Sequence, residues 1–181
     1  MNIQSAVIEG TNILKDKSIL SAQLDTEILL SKALDKNREY IILNHNQVLN
    51  IENLKYFKKL VNERATRKPI AYLLNKKSFW KNEFYVNRHT LIPRPDTEII
   101  LEQTLKVVKN KDYLKILDIG VGSGCILLSI LKEKKNFYGT GIDISKNSLK
   151  ISRLNAKKLL VDDRVKFYKS DVDKFVQGKY D

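Results

Sequence analysis

The ten residues 117–126, LDIGVGSGCI, decide the fold of the second half of the chain. An apolar run ends there in an aspartate, which is followed by three glycines at alternate positions, Gly120, Gly122 and Gly124. Glycine allows positive φ and close approach of another group to the backbone, and a helix that begins after such a turn offers free N–H groups. The stretch therefore predicts a strand, a sharp turn and a helix, with a ligand held at the turn.

The residues that follow extend this pattern into alternating strands and helices. We expect strands within 113–120, 137–144 and 164–171, and helices within 125–134 and 145–160. Such alternation predicts an α/β fold with a parallel sheet and crossover helices. The ligand of such a sheet binds beyond the carboxyl ends of the strands, which is where the glycine turn lies.

Residues around the glycines indicate what the ligand is. A dinucleotide fingerprint, G-x-G-x-x-G, requires glycine where the chain has Cys125, and the G-K-[ST] ending of a phosphate-binding loop is missing. An aspartate stands near the end of each predicted strand, namely Asp118, Asp143 and Asp171. The first suits a cationic group, the second can accept ribose hydroxyls, and the third can face an adenine amino group. S-adenosyl-L-methionine (AdoMet) fits this description, whereas each aspartate alone could equally cap a helix.

The first 74 residues instead show helical periodicity, which predicts a small helical bundle. Ser21 is expected to cap a helix whose apolar positions are Leu24, Ile28, Leu30 and Leu34. A second helix is expected from residue 51 until Pro69 ends it, with apolar positions Leu54, Phe57, Leu60 and Val61. We expect domains at 1–74 (helical), 75–95 (hairpin and linker) and 96–181 (α/β).

Residues 75–108 connect these two regions. Aromatic and β-branched residues on both sides of a polar Lys-Asn-Glu predict a short hairpin. Its aromatic residues fit core packing better than a substrate-facing wall; they are Phe79, Trp80, Phe84 and Tyr85. Either Asp96 or Thr97 can then cap a helix that carries Ile100, Leu101, Leu105 and Val108. Between two prolines, Arg94 fits a structural ion pair better than a catalytic role.

Composition limits the other classes of function. The net charge is +12, but the lysines are scattered singly or in pairs, which favours a solvated surface over a nucleic-acid site. Cys125 is the one cysteine, so an internal disulfide is excluded; a packing role is favoured over a thiol of lowered pKa at a helix start. His45 and His89 are isolated, so no metal site is expected. No secretory signal or membrane span is visible, and we expect a cytoplasmic protein.

Two long stretches, 64–103 and 116–131, resemble the HemK/PrmC family, the protein-(glutamine-N5) methyltransferases of class I peptide release factors. The octapeptide LIPRPDTE at 91–98 is the most specific part, and SAQLDTEILL at 21–30 also matches. The chain departs from the family at Asn75, where glycine is usual, and at Val172, where an aromatic residue is common.

The resemblance implies an incomplete Rossmann-like class I AdoMet methyltransferase domain after a helical domain that docks the release factor. The substrate would be the glutamine of a Gly-Gly-Gln loop, and the protein would be a monomer. The residues implied to bind AdoMet are Asp118, Ile119, Gly120, Val121, Gly122, Gly124, Asp143, Asp171 and Val172. Those implied to line the cleft are Arg94, Pro95, Thr97 and Glu98.

The family's N-P-P-Y motif does not occur in the sequence. That motif accepts hydrogen bonds from the glutamine amide and positions its nitrogen, so we expect no catalytic residue and no methyl transfer by this chain alone. Two alternatives stay open: a non-catalytic chain that binds AdoMet or a release factor, and a methyltransferase acting on amino groups of nucleic acid.

Overall fold

The computed structural model describes residues 1–181, and the chain divides into two compact units, Met1–Leu74 and Asn75–Asp181. We call them the helical unit and the α/β unit. None of the helices is both long and apolar enough to cross a membrane.

The helical unit contains five helices: α1 (Ile3–Asp16), α2 (Ala22–Leu34), α3 (Arg38–Leu43), α4 (Ile51–Ala65) and α5 (Ile70–Leu74). Asparagine begins three of them, because its side chain can accept a hydrogen bond from a free N–H group of the first turn. The side chains of Asn2, Asn37 and Asn50 each accept from the residue three positions on, at 2.7–2.9 Å. The core lies between α1, α2 and α4 and includes Ile3, Leu14, Leu29, Leu30, Phe57, Leu60 and Val61.

Helix α2 buries only part of the face that its apolar spacing predicts: Leu30 is fully buried, but other positions of that face are not. Leu24 is 43% exposed, while Asp25 and Glu27 are buried. The buried carboxylates have partners: Arg64 donates to Asp25 at 2.7 Å and Arg38 to Glu27 at 2.6 Å. Because α2 packs against other helices on several sides, spacing alone does not identify the buried positions.

Two other boundary predictions for the helical unit need correction. Ser21 does occupy the cap position of α2, but its hydroxyl donates to the Asp25 carboxylate at 3.0 Å and makes no capping bond to a backbone N–H. Pro69 does not end α4, which already stops at Ala65. Its carbonyl instead accepts from the N–H groups of Tyr72 and Leu73, so this proline begins the next helix, α5.

The α/β unit begins with the predicted hairpin, formed by β1 (Lys77–Phe79) and β2 (Asn82–Phe84). Phe79 and Phe84 are buried in an edge-to-face contact, which confirms core packing for these two rings. Asn75 has φ +55°, a left-handed backbone conformation that asparagine adopts more readily than most residues other than glycine.

Three parallel strands follow in the order β3 (Lys115–Ile119), β4 (Tyr138–Asp143) and β5 (Val165–Lys169). Helix α7 (Cys125–Glu133) connects the first two and α8 (Lys146–Lys158) the last two, so the predicted alternation is confirmed. Gly139 of β4 permits close contact with α7, because a Cβ there would lie 2.9 Å from the side chain of Leu127. The register places the carboxyl ends of all three strands at one edge of the sheet.

Helix α6 (Thr97–Val107) buries only part of the apolar face that the sequence predicts for it. Leu101 is fully buried, but Ile100 is 57% exposed and Val108 follows the end of the helix. Asp96 rather than Thr97 is the cap residue, without a side-chain capping bond. Val165 of β5 is buried.

Candidate functional site

The glycine turn between β3 and α7 lies at the carboxyl edge of the sheet. Its three glycines all have positive φ: +76° at Gly120, +54° at Gly122 and +82° at Gly124. The turn continues the sheet for two residues, because the N–H groups of Gly120 and Val121 both donate to the carbonyl of Ile142 at 2.9 Å. It then closes with a 2.7 Å bond from the Gly124 N–H to the Val121 carbonyl.

The three glycines differ in what surrounds them. A Cβ on Gly120 would have no atom within 4 Å, and one on Gly122 would meet only the Gly120 carbonyl oxygen at 3.7 Å. A Cβ on Gly124 would lie 2.7 Å from the buried side chain of Leu128 in α7. The first two glycines thus face open space that a ligand can fill, and the third packs the turn onto its helix.

Asp143, at the end of β4, connects the turn to the start of α8. One carboxylate oxygen accepts the Gly122 N–H at 3.0 Å, and the other accepts the Ser145 N–H at 2.8 Å. Each oxygen of a carboxylate can accept two hydrogen bonds, so one site on each remains for ribose hydroxyls. Asp143 therefore shapes the turn and keeps the acceptor capacity that the sequence predicted for it.

Asp118 lies beneath the turn and accepts a hydrogen bond from the Leu127 backbone N–H in the first turn of α7. Burial raises the pKa of its carboxyl to about 6, with a smaller contribution from the nearby negative charge of Asp143. A carboxylate held in this way attracts a cation above that pKa. The predicted role toward a cationic ligand group stays a prediction.

Cys125 opens α7, but its thiol does not have the lowered pKa that one sequence alternative allowed. Burial raises its pKa to about 11, more than the hydrogen bond associated with Ser123 lowers it. The thiol is therefore protonated at neutral pH and poorly suited to act as a nucleophile or metal ligand.

The third predicted aspartate follows β5 at the same edge of the sheet. The Ser170 N–H donates to the Asp143 carbonyl at 3.2 Å, which places the next two residues, Asp171 and Val172, beside the end of β4. Asp171 is exposed and its side chain makes no capping bond, and Val172 is 48% exposed. Both side chains are free to contact a ligand, and their predicted place beside an adenine ring remains a prediction.

The PRPDTE part of the octapeptide at 91–98 leads into α6. Arg94 forms no ion pair with any residue of the chain, so the predicted structural ion pair is wrong. Glu98 accepts the backbone N–H of Trp80 at 2.7 Å, and thereby holds the hairpin turn. Pro95 is exposed and Thr97 half-buried. The cleft-lining role of these four residues stays a prediction.

A separate groove of about 380 Å³ contains none of the glycine-turn residues. It is lined by residues of all three parallel strands and of the C-terminal segment, with four tyrosines among them: Tyr113, Tyr138, Tyr168 and Tyr180. The predicted ligand residues therefore lie at a different place from this groove.

Sequence reasoning missed two residues that contact the turn, Ser152 and Asn155 of α8. The Ser152 hydroxyl donates to the Gly122 carbonyl at 2.7 Å, and the Asn155 amide donates to the Ser123 carbonyl at 2.8 Å. Both are 0% exposed. A signal was present, because Ser148, Ser152 and Asn155 follow one another at helical spacing where apolar residues would be usual.

Comparison with known proteins agrees with the geometry of both units. Residues 5–74 match the family described as PrmC N-terminal domain, and residues 110–181 match a family described as methyltransferase domain. The chain is thus similar to the HemK/PrmC family in its helical unit and to methyltransferases in its α/β unit. Its second unit is therefore a methyltransferase domain with a helical PrmC-type domain before it.

Relatives with known names extend beyond this chain. A release factor glutamine methyltransferase of Clostridium acetobutylicum is 36% identical over 95% of this chain and 60% of its own length. Another, of Buchnera aphidicola, is 43% identical over 79% of this chain and 52% of its own. A bifunctional methyltransferase of Rickettsia felis is 33% identical over 94% of this chain and 37% of its own. The chain thus spans 60% or less of these three relatives.

Among solved structures, an RNA methyltransferase from Salinibacter ruber in complex with S-adenosyl-L-homocysteine is 26% identical over 46% of this chain and 53% of that chain, with a TM-score of 0.41.

Proposed function

We propose that the α/β unit binds AdoMet at the carboxyl edge of its sheet, in a protein that methylates the glutamine side-chain amide of the Gly-Gly-Gln loop in class I release factors. The observation that carries the proposal is the glycine turn, with open space at Gly120 and Gly122 and with Asp143 beside it. The similarity to proteins named release factor glutamine methyltransferase supports the reaction and the acceptor. The cytoplasm, where release factors act, is the proposed location.

The residues of the turn fit the parts of AdoMet. The methionine end would lie along residues 118–122, with the cation near Asp118. The ribose would bind the free acceptor positions of Asp143, and the adenine would lie beside Asp171 and Val172. AdoMet, when bound, supplies a methyl group made electrophilic by the positive sulfonium. The chain's own residues orient the cofactor and hold it against the edge of the sheet.

Acceptor recognition is proposed for the helical unit, because the PrmC N-terminal domain match covers nearly all of it. For residues 1–181 by themselves we expect cofactor binding without methyl transfer. The N-P-P-Y tetrapeptide that positions the glutamine amide in this family does not occur in the sequence. An amide nitrogen is a poor nucleophile, and its reaction depends on such positioning.

AdoMet binding is tested by titration calorimetry of the 181-residue chain, with Asp143→Asn as the matched variant. Asparagine keeps one acceptor oxygen and the shape of the side chain but removes the charge, so we expect binding of AdoMet to wild type and an affinity at least about tenfold lower for the variant. A wild-type chain that shows no binding at millimolar AdoMet contradicts the proposed function.

Acceptor choice is tested on the same chain by titration with a class I release factor and, separately, with a single-stranded RNA. Binding of the release factor and not of RNA supports the proposal. RNA binding alone would favour the nucleic-acid alternative, for which the net charge of +12 is the supporting observation. Transfer of tritiated methyl from AdoMet to the release factor would contradict the expected lack of turnover.

A further inference from the structure

Helix α8 carries three buried polar side chains on one face, Ser148, Ser152 and Asn155, which are 4%, 0% and 0% exposed. Residues four and seven positions apart lie on the same side of a helix. All three side chains donate a hydrogen bond to a backbone carbonyl outside α8. A stripe of buried donors directed at other segments indicates that this face holds those segments in place.

Two of the segments are parts of the glycine turn. The Ser152 hydroxyl donates to the Gly122 carbonyl at 2.7 Å, and lies 3.2 Å from the Ser148 carbonyl. The Asn155 amide donates to the Ser123 carbonyl at 2.8 Å. A peptide group is planar, so fixing a carbonyl also fixes the N–H of the next residue. Ser152 therefore orients the Ser123 N–H, and Asn155 orients the Gly124 N–H.

Asp143 fixes the preceding peptide group through its bond to the Gly122 N–H. Three successive peptide groups of the turn are thus each held by one side chain. Such support matters here because glycine adopts many backbone conformations, and two of the four residues that these peptide groups join, Gly122 and Gly124, are glycines.

The remaining bonds of the stripe reach the chain between the hairpin and the octapeptide. Asn155 pairs with both backbone groups of Tyr85: its oxygen accepts the N–H at 2.7 Å, and its amide donates to the carbonyl at 3.0 Å. Ser148 donates to the His89 carbonyl at 2.7 Å. The same face of α8 therefore connects the glycine turn with the segment that leads into residues 91–98.

We propose that Ser152 and Asn155 are positioning residues for the cofactor: they hold the second half of the glycine turn in the shape that accepts AdoMet. Neither is assigned to contact the cofactor itself. The inference rests on the proposed binding of AdoMet by this turn.

The test compares Ser152→Ala with Ser129→Ala in the 181-residue chain. Ser129 lies in α7, is 0% exposed, and its hydroxyl has no hydrogen-bond partner, so the same atom is removed there without the loss of a bond. Loss of one ordinary hydrogen bond corresponds to roughly a fivefold change in an equilibrium constant. We expect Ser152→Ala to raise the Kd for AdoMet about fivefold or more, and Ser129→Ala to leave it unchanged.

Two further variants separate positioning from general stability. Val161→Ala removes buried apolar atoms after the end of α8, at a residue outside the glycine turn, and should destabilise the unit. Its Kd should equal that of wild type at a temperature where circular dichroism shows all variants folded. Asn155→Asp keeps the acceptor for the Tyr85 N–H but loses both donors, so the Kd should rise at least about tenfold. Should Asn155→Asp fail to fold, Ser152→Ala still decides.

A readout without ligand makes the two proposals separable. Hydrogen exchange of the Gly122 and Gly124 amides, which are bonded to Asp143 and to the Val121 carbonyl, should be faster in Ser152→Ala than in wild type, and unchanged in Ser129→Ala and Val161→Ala. If wild type does not bind AdoMet, the proposed function fails while exchange still reports on the turn. Equal exchange rates in Ser152→Ala and Ser129→Ala would overturn the positioning role.

Discussion

The two units both bury polar side chains, but the buried groups have different partners. In the helical unit, buried carboxylates pair with side chains: Asp25 with Arg64, and Glu27 with Arg38. These pairs join one helix to another, and the backbone of each helix already has its own regular hydrogen bonds. The pairs therefore stabilise the arrangement of the helices relative to one another.

In the α/β unit, the buried polar side chains of α8 bond to backbone instead. Ser152 and Asn155 donate to carbonyls of the glycine turn, and Asp143 accepts one of its N–H groups. A turn with three glycines lacks the repeating hydrogen bonds of a helix, yet its backbone polar groups still need partners. Side chains supply them, and the turn keeps one shape. Buried polar side chains thus join helices in one unit and hold the glycine turn in the other.

The largest expected effect tests the scaffold side of this comparison. Asp25→Ala leaves Arg64, whose side chain is only 16% exposed, without its carboxylate, and we expect a loss of about 3–5 kcal/mol of unfolding free energy. Urea unfolding followed by circular dichroism measures it. Glu9→Ala breaks the exposed Lys58–Glu9 pair and should cost about 1 kcal/mol or less. Similar losses in the two variants would contradict a structural role for the buried pair.

An intermediate effect is expected within the turn itself, from Gly124→Ala and Gly120→Ala. Both positions have positive φ, so alanine costs about 1–2 kcal/mol at each. At Gly124 the new Cβ also meets Leu128 at 2.7 Å, which adds about 1–3 kcal/mol of overpacking. Thermal unfolding should therefore rank Gly124→Ala as the less stable. At Gly120, where a Cβ would meet open space, alanine should instead reduce the AdoMet affinity while leaving more of the stability intact.

The smallest effect is a pH dependence of the unfolding free energy that comes from Asp118. Its folded-state pKa of about 6 lies above the unfolded value, so this group favours the folded chain below pH 4, and that contribution is lost as pH rises to 6. Asp118→Asn does not titrate. Relative to wild type, it should gain of the order of 2–3 kcal/mol between pH 4 and pH 7. Urea unfolding at both values measures the gain, and equal differences at the two pH values would contradict it.

The sequence by itself determined the features that depend on neighbouring residues. The glycines of residues 117–126 fixed the strand, turn and helix, because positive φ is a property of the residue itself. The spacing of apolar residues predicted the alternating strands and helices, and the polar Lys-Asn-Glu marked the hairpin turn. Three predicted ligand residues, Asp118, Gly122 and Asp143, come together at the edge of the sheet because the carboxyl ends of parallel strands meet there.

The tertiary structure alone decided which polar side chains are buried and what they bond. Asp25 is buried, whereas Leu24 is exposed, because Asp25 pairs with Arg64. Arg64 lies 39 positions away, so the local spacing of apolar residues does not reveal this pair. Asn155 supports the turn through the Ser123 carbonyl, 32 positions away, and also bonds to the backbone of Tyr85, 70 positions away. The pKa of Cys125 is likewise raised by surroundings that helix position does not reveal. Local patterns specify backbone conformation, whereas burial, hydrogen-bond partners and pKa depend on residues that only folding brings close.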